Sequence, residues 1–164
     1  EVTVEHGKRI TGTRVLVVED GPTVTHGGMK FGAGVIAARL YGAADTVDPR
    51  HSLVGTLKKT FEIYPEIGKV LPAMGYSERQ VKDLAATINS CDCDLVVSAT
   101  PVDLARLMTI DKPLMRVRYS YRDNSEPTLG DLVKELLASG VGLDGKLQLC
   151  VHRRDANIYL KQQQ

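Results

Sequence analysis

Apolar positions along the chain follow two rhythms in turn. Val15-Leu-Val-Val18 is a short run rich in β-branched residues that predicts a buried strand, and Val35-Ile-Ala-Ala-Arg-Leu-Tyr41 spaces its apolar residues as a helix does. Beyond turn-rich Asp45–His51, Leu53–Phe61 returns to helical spacing and stops near Pro65. Ile67–Ala73 predicts a short strand, and Ser77–Ile88 a helix whose Ser77 and Gln80 have capping-box spacing. Asp94–Ala99 is apolar enough for a second buried strand. Pro101–Met108 then predicts a short helix, Leu114–Tyr121 an alternating strand, and Thr128–Ser139 an amphipathic helix ending at Gly140.

Strands and helices in alternation argue for right-handed βαβ units. The expected fold is therefore α/β, a mostly parallel sheet with helices on both faces, Rossmann-like, with ligands gathering beyond the carboxyl ends of the strands. Residues 1–140 are expected to form one nucleotide- or phosphate-binding domain, and residues 141–164 a tail with two short apolar patches and a frayed end. The best internal break is the turn Asp123-Asn-Ser-Glu-Pro127.

Composition narrows the function classes. With 21 Lys and Arg against 20 acidic residues, the net charge of +1 offers no global attraction to nucleic acid, and only 5% of residues are aromatic, too few for a base-stacking platform. No apolar run approaches the roughly 18 residues of a membrane span. Three cysteines, an odd number with no signal-like amino terminus, favour a reducing, cytoplasmic setting over a disulfide scaffold. Cys91-Asp-Cys93 lacks the second Cys/His pair that structural zinc requires, so buried or flanking thiols are expected.

The chemistry concentrates after the first strand. Glu19 and Asp20 stand where that strand should end, a position from which a carboxylate can reach a magnesium ion; Asp20-Gly-Pro22 also has the composition of a plain turn. In the stretch from Thr25 to Gly34, the glycines Gly27, Gly28, Gly32 and Gly34 permit close backbone approach to an anion. His26 and Lys30 add charge and hydrogen bonds for phosphoryl oxygens, so both are catalytic candidates. The loop is not a Walker A motif, because Lys30 precedes Gly32 and no Ser or Thr follows it. Its glycine spacing also departs from the dinucleotide fingerprint, which weighs against a nicotinamide-dependent oxidoreductase.

Thr100 and Asp103 allow two readings. A Thr-x-x-Asp after a buried strand can pair with guanine, and Thr100 as N-cap with Pro101 at the first helical position and Asp103 at the third is also a complete helix start. No Gly-x-Ser-x-Gly elbow occurs, and His6, His51 and His152 are expected to be solvated or packed. Arg116, Arg118 and Arg122 read as a solvated strand face.

Four blocks, Val15–Gly34, Ile67–Tyr76, Cys93–Leu104 and Lys112–Tyr119, resemble in the same order the predicted GTPases related to cyclic 2,3-diphosphoglycerate synthetase. The similarity runs from about Gly12 to Gly140. It implies a P-loop-NTPase-like, three-layer half without its Walker A loop, the carboxyl-terminal part of a longer, nucleoside-triphosphate-dependent enzyme. ATP or GTP with Mg2+ would be the cofactors, and a small phosphorylated acid the substrate. The amino-terminal P-loop part of the same protein would be the main partner, with homo-oligomerisation left open. The competing expectation is a noncatalytic anion- or nucleotide-binding module.

Overall fold

The computed structural model describes residues 1–27, 29–138, 148–151 and 158–161, the last two segments as backbone only. The chain divides into two compact units, Glu1–Tyr121 and Arg122–Gln164, and the boundary falls just ahead of the turn at Asp123–Pro127.

The first unit is built on β2 (Arg14–Asp20), whose residues 15 to 19 are all buried. On one side β2 pairs in parallel with β5 (Leu95–Ala99), Val15 opposite Leu95 through Glu19 opposite Ala99, and β5 pairs in parallel with β6 (Leu114–Tyr119). Its other edge is shared: β3 (Asp45–Thr46) lies beside its start and β4 (Leu71–Ala73) beside its end. The short β1 (Val2–Val4) closes the far side antiparallel to β6. Six strands thus form a mostly parallel sheet with helices packed around it, a three-layer α/β, Rossmann-like arrangement. Strands buried on both faces read as continuous apolar runs, which is why Val15–Val18 and Leu95–Val97 are so uniformly hydrophobic.

Most elements follow the hydrophobic rhythm, with shifts that tertiary contacts explain. The helix expected at Val35–Tyr41 is α2 (Ala33–Leu40). Ahead of it the chain makes an unforeseen five-residue helix, α1 (Gly21–Thr25), because Pro22 near its start is already set to a helical φ. The helix expected from Leu53 begins later, as α3 (Thr56–Ile63): its first N–H is taken by Asp83, whose carboxylate accepts from the Thr56 amide at 2.8 Å and the Thr56 hydroxyl at 2.9 Å. Only Leu71–Ala73 of the strand expected at Ile67–Ala73 joins the sheet, since the Ile67 carbonyl accepts from Arg50 and the Gly68 amide donates to Lys30.

Asp83 belongs to α4 (Glu78–Ser90), which carries the expected capping box at Ser77 and Gln80. The helix expected from Pro101 is corrected to α5 (Leu104–Leu107), and the strand expected to reach Tyr121 ends at Tyr119. In the second unit, α6 (Leu129–Ala138) starts beside Thr128, whose hydroxyl donates to Asp131 at 2.6 Å. The expected stop at Gly140 lies outside the described residues. The two apolar patches of the tail form β7 (Gln148–Val151) and β8 (Ile158–Lys161), paired antiparallel. Among the described residues no helix is long and apolar enough to cross a membrane.

Candidate functional site

From β2 the chain passes to β3 and β4 on one edge, and from β4 through α4 it crosses to β5 on the other. This reversal makes the carboxyl ends of β2 and β5 a topological switch point, the place where open α/β sheets bind ligands. Glu19 and Asp20 close β2 there, and Thr100 follows β5.

Alternation along β2 sends these two carboxylates to opposite faces. Glu19 turns toward α2 and is buried at 1% exposure. Its Oε1 accepts from the Gly32 amide at 2.9 Å and the Val35 amide at 3.1 Å. Burial pushes the Glu19 carboxyl above its ordinary value; the amides of Val35, Gly34 and Gly32 pull it down, and the charge of Asp20 adds to the upward push. The amino terminus of α2, expected to cradle a phosphate, thus already holds a carboxyl group supplied by the chain itself. The same packing accounts for two glycines. A Cβ at Gly32 would lie 2.7 Å from Glu19 Oε2, and one at Gly34 only 2.5 Å from Val17 Cγ1.

Asp20 lies on the other face and is half-buried. Although it is the N-cap of α1, its side chain makes no capping hydrogen bond, and among the described residues it has no hydrogen-bond or ion-pair partner. Tyr76, in the loop after β4, stands against the Thr100 hydroxyl and within electrostatic reach of Asp20; burial raises its phenol above the ordinary value, Thr100 opposes that, and Asp20 adds to it. Thr100 is buried and donates to the Val102 carbonyl at 2.7 Å, so its hydroxyl oxygen still has room to accept. Ser98 is registered with Val18 of β2 and Arg116 of β6, which puts it on the Asp20 face one row deeper. It is buried, and among the described residues its Oγ has no hydrogen-bond partner.

Asp103 is set apart from this group. It is the N-cap of α5, accepting from the Ala105 amide at 3.2 Å, and it sits between Arg116 at 3.5 Å and Arg106 at 3.6 Å. The helix start expected at Thr100 is therefore corrected: Thr100 spends its proton on Val102, and Asp103 caps from the cap position, not the third. Arg116 also donates to the Pro101 carbonyl at 2.8 Å, so one residue of the partly exposed basic row is also engaged with the protein.

The remaining loop candidates lie farther out. Thr25 donates to the Gly21 carbonyl at 2.9 Å and its hydroxyl lies 2.9 Å from His26 Nδ1. The Gly27 amide donates to Pro22, and Gly28 lies outside the described residues. His26 and Lys30 are exposed, and among the described residues no hydrogen bond ties either to Asp20, Thr100 or Tyr76. The sequence-based reading passed over Tyr76 and Ser98. Their signal was positional: a tyrosine just after one strand end, and a serine inside an otherwise apolar strand.

A magnesium ion held by protein groups alone is a poor match to these donors. Among the described residues no group of three or more His, Cys, Asp or Glu side chains could hold a metal, and Glu19 is committed to backbone amides, which leaves Asp20 alone. The two thiols fit a metal no better: Cys91 is buried, and burial pushes both Cys91 and Cys93 up, away from the thiolate form that zinc requires.

Comparison with known proteins yields one curated relative. Over 134 residues, 82% of this chain, the sequence is 48% identical to arginine synthetase ArcE of Thermococcus kodakarensis. The match covers 30% of that protein, so the chain spans less than a third of the length of its relative. No family model and no solved structure matches.

Proposed function

We propose that this chain is a segment of a nucleoside-triphosphate-dependent synthetase, and that the switch point at the ends of β2 and β5 is where it meets its small-molecule substrate. The observation that carries this reading is the 48% identity to a protein named for making arginine. A synthetase joins molecules at the expense of a nucleotide, which suits a segment that presents polar groups at a sheet switch point and carries no Walker A loop of its own. The nucleotide-binding loop would come from the part of the protein beyond the matched segment, and Mg2+ would arrive with the nucleotide, coordinated by its phosphate oxygens.

Within this frame the side chains divide the work. Glu19, Gly32 and Gly34 hold the loop against the sheet, leaving exposed Lys30 and His26 to draw phosphoryl charge toward the switch point. Asp20, Tyr76 and Thr100 bind and orient the substrate at the strand ends. ATP is the nucleotide we favour over GTP, because Asp103, the candidate guanine reader, is held by the Ala105 amide and two arginines. The four-block resemblance supports a GTPase and a phosphoglycerate-like acceptor as the second reading.

A chimera tests the proposal. The matched segment of the Thermococcus relative is exchanged for this chain, and nucleotide-dependent arginine formation is measured. Retained synthesis is the expected result. A folded, nucleotide-binding chimera that makes no arginine overturns it.

A further inference from the structure

Asp20 poses a physical problem that the rest of the site does not solve. A half-buried carboxylate at the end of a central strand is ordinarily neutralised by a cation or by several hydrogen bonds, because partial desolvation without a partner is costly. Glu19 next to it has amides; Asp20 has none. Of the strand arginines on its sheet face, Arg116 is occupied with the Pro101 carbonyl and Asp103, Arg14 at the opposite end of β2 with Asp92, and Arg118 stands farther along β6, opposite Thr3 of β1. Positive charge from outside the protein can therefore complete the site, and the donor set decides which kind. One carboxylate flanked by two hydroxyls is too few hard ligands for a metal held by protein groups alone, and Mg2+ here would need waters or phosphate oxygens for most of its octahedron.

The same groups match a planar organic cation. A guanidinium offers a fork of N–H donors that a carboxylate accepts in pairs, and it stacks on an aromatic ring. At this position Asp20 supplies the carboxylate, Tyr76 supplies a ring 40% exposed, and the oxygens of Thr100 and the unpartnered Ser98 lie on the same side of the sheet to accept further N–H groups.

We propose that Asp20, Tyr76, Thr100 and Ser98 form a guanidinium subsite, and that it receives the guanidinium end of a small substrate or product. The assignment rests on the synthetase reading only for the identity of the molecule; the subsite itself stands on the unpaired carboxylate, the orphaned hydroxyl and the adjacent ring. Asp20 is a binding residue here, and Ser98, deeper in the sheet, a specificity-determining one, since a ligand that leaves its hydroxyl unpaired forfeits a buried hydrogen bond.

The test titrates the full 164-residue chain with methylguanidinium, with arginine and with Mg2+ alone, by calorimetry and by amide chemical-shift mapping. Saturable binding of methylguanidinium and arginine is expected, with shifts confined to the amides around Asp20, Tyr76, Ser98 and Thr100. Asp20→Asn should weaken binding by at least about tenfold, as expected for loss of one charged partner of a paired fork. Because the Asp20 side chain makes no hydrogen bond within the described protein and its charge is partly desolvated, the variant should melt at or above the wild-type temperature. Shift mapping on the wild type needs no variant at all. Equal binding by Asp20→Asn, shifts elsewhere, no binding of either guanidinium probe, or competitive displacement by Mg2+ each overturn the assignment. If the chimera fails while the Asp20-dependent binding persists, the synthetase reading falls and the subsite stands. If the chimera succeeds and Asp20→Asn binds normally, the reverse holds.

Discussion

Glu19 and Asp20 are adjacent carboxylates with opposite fates, and strand alternation separates them. Both were legible as important in the sequence, yet nothing in a dipeptide says which one the protein will consume internally. Glu19 carries a pH signature that follows from its environment. Burial raises its native pKa above the value in the unfolded chain, so across that interval the native state binds more protons. The stability it contributes is therefore complete below the unfolded value and lost as pH rises through the native one. Glu19→Gln keeps an oxygen for the Gly32 and Val35 amides but removes the charge. Compared with wild type, the variant should gain stability as pH climbs from about 4 to 8. Urea midpoints across that range measure it, and a difference that stays flat, or shrinks with rising pH, would refute the role assigned to burial. Gly32 and Gly34 teach a related lesson. Their glycine signal was read as backbone room for a phosphate, but the room is used by Glu19 and Val17.

At the scale of elements, local signals succeeded where the chain itself supplies the partner. The Ser77 and Gln80 box is complete: the Ser77 hydroxyl accepts from the Gln80 amide at 3.4 Å, and the Ser77 amide donates to Gln80 Oε1 at 3.3 Å. Ser77→Ala should therefore cost about 0.5–2 kcal/mol, read from urea denaturation, and a loss near zero would mean that α4 is held by its packing alone. Where a cap comes from elsewhere, sequence reading misplaced the boundary. The first turn of α3 is capped by Asp83, 27 positions away in α4, so the helix starts at Thr56 and not at Leu53. The opposite error occurred at α5. Thr100, Pro101 and Asp103 look like one helix start, but the burial of Thr100 turns its hydroxyl onto Val102 and hands the cap to Asp103. Strands of two or three residues, β1 and β3, carry no readable period and were missed.

Across the first unit, β2 and β5 are the centre, each paired along both edges and buried from Val15 to Glu19 and from Leu95 to Ala99. Their amides, Leu16–Val18 and Val96–Ser98, should exchange hydrogen most slowly, at rates set by global unfolding, and faster exchange there than in α4 would contradict that placement. The order of strands and helices by itself determined that the fold is α/β with a mostly parallel sheet, because uninterrupted β-branched runs and helical spacing are local properties that survive without knowledge of neighbours. It also marked the segment after β2 as the place to look for a site. What only the tertiary structure decided is which groups are free to act. Glu19 is spent on the loop and Asp103 on arginines, while Asp20 is left unpaired beside Tyr76 and Thr100, residues 56 and 80 positions away in the chain. Charge pairing and hydrogen-bond satisfaction are long-range sums over everything that surrounds a side chain, and no spacing along the sequence encodes them.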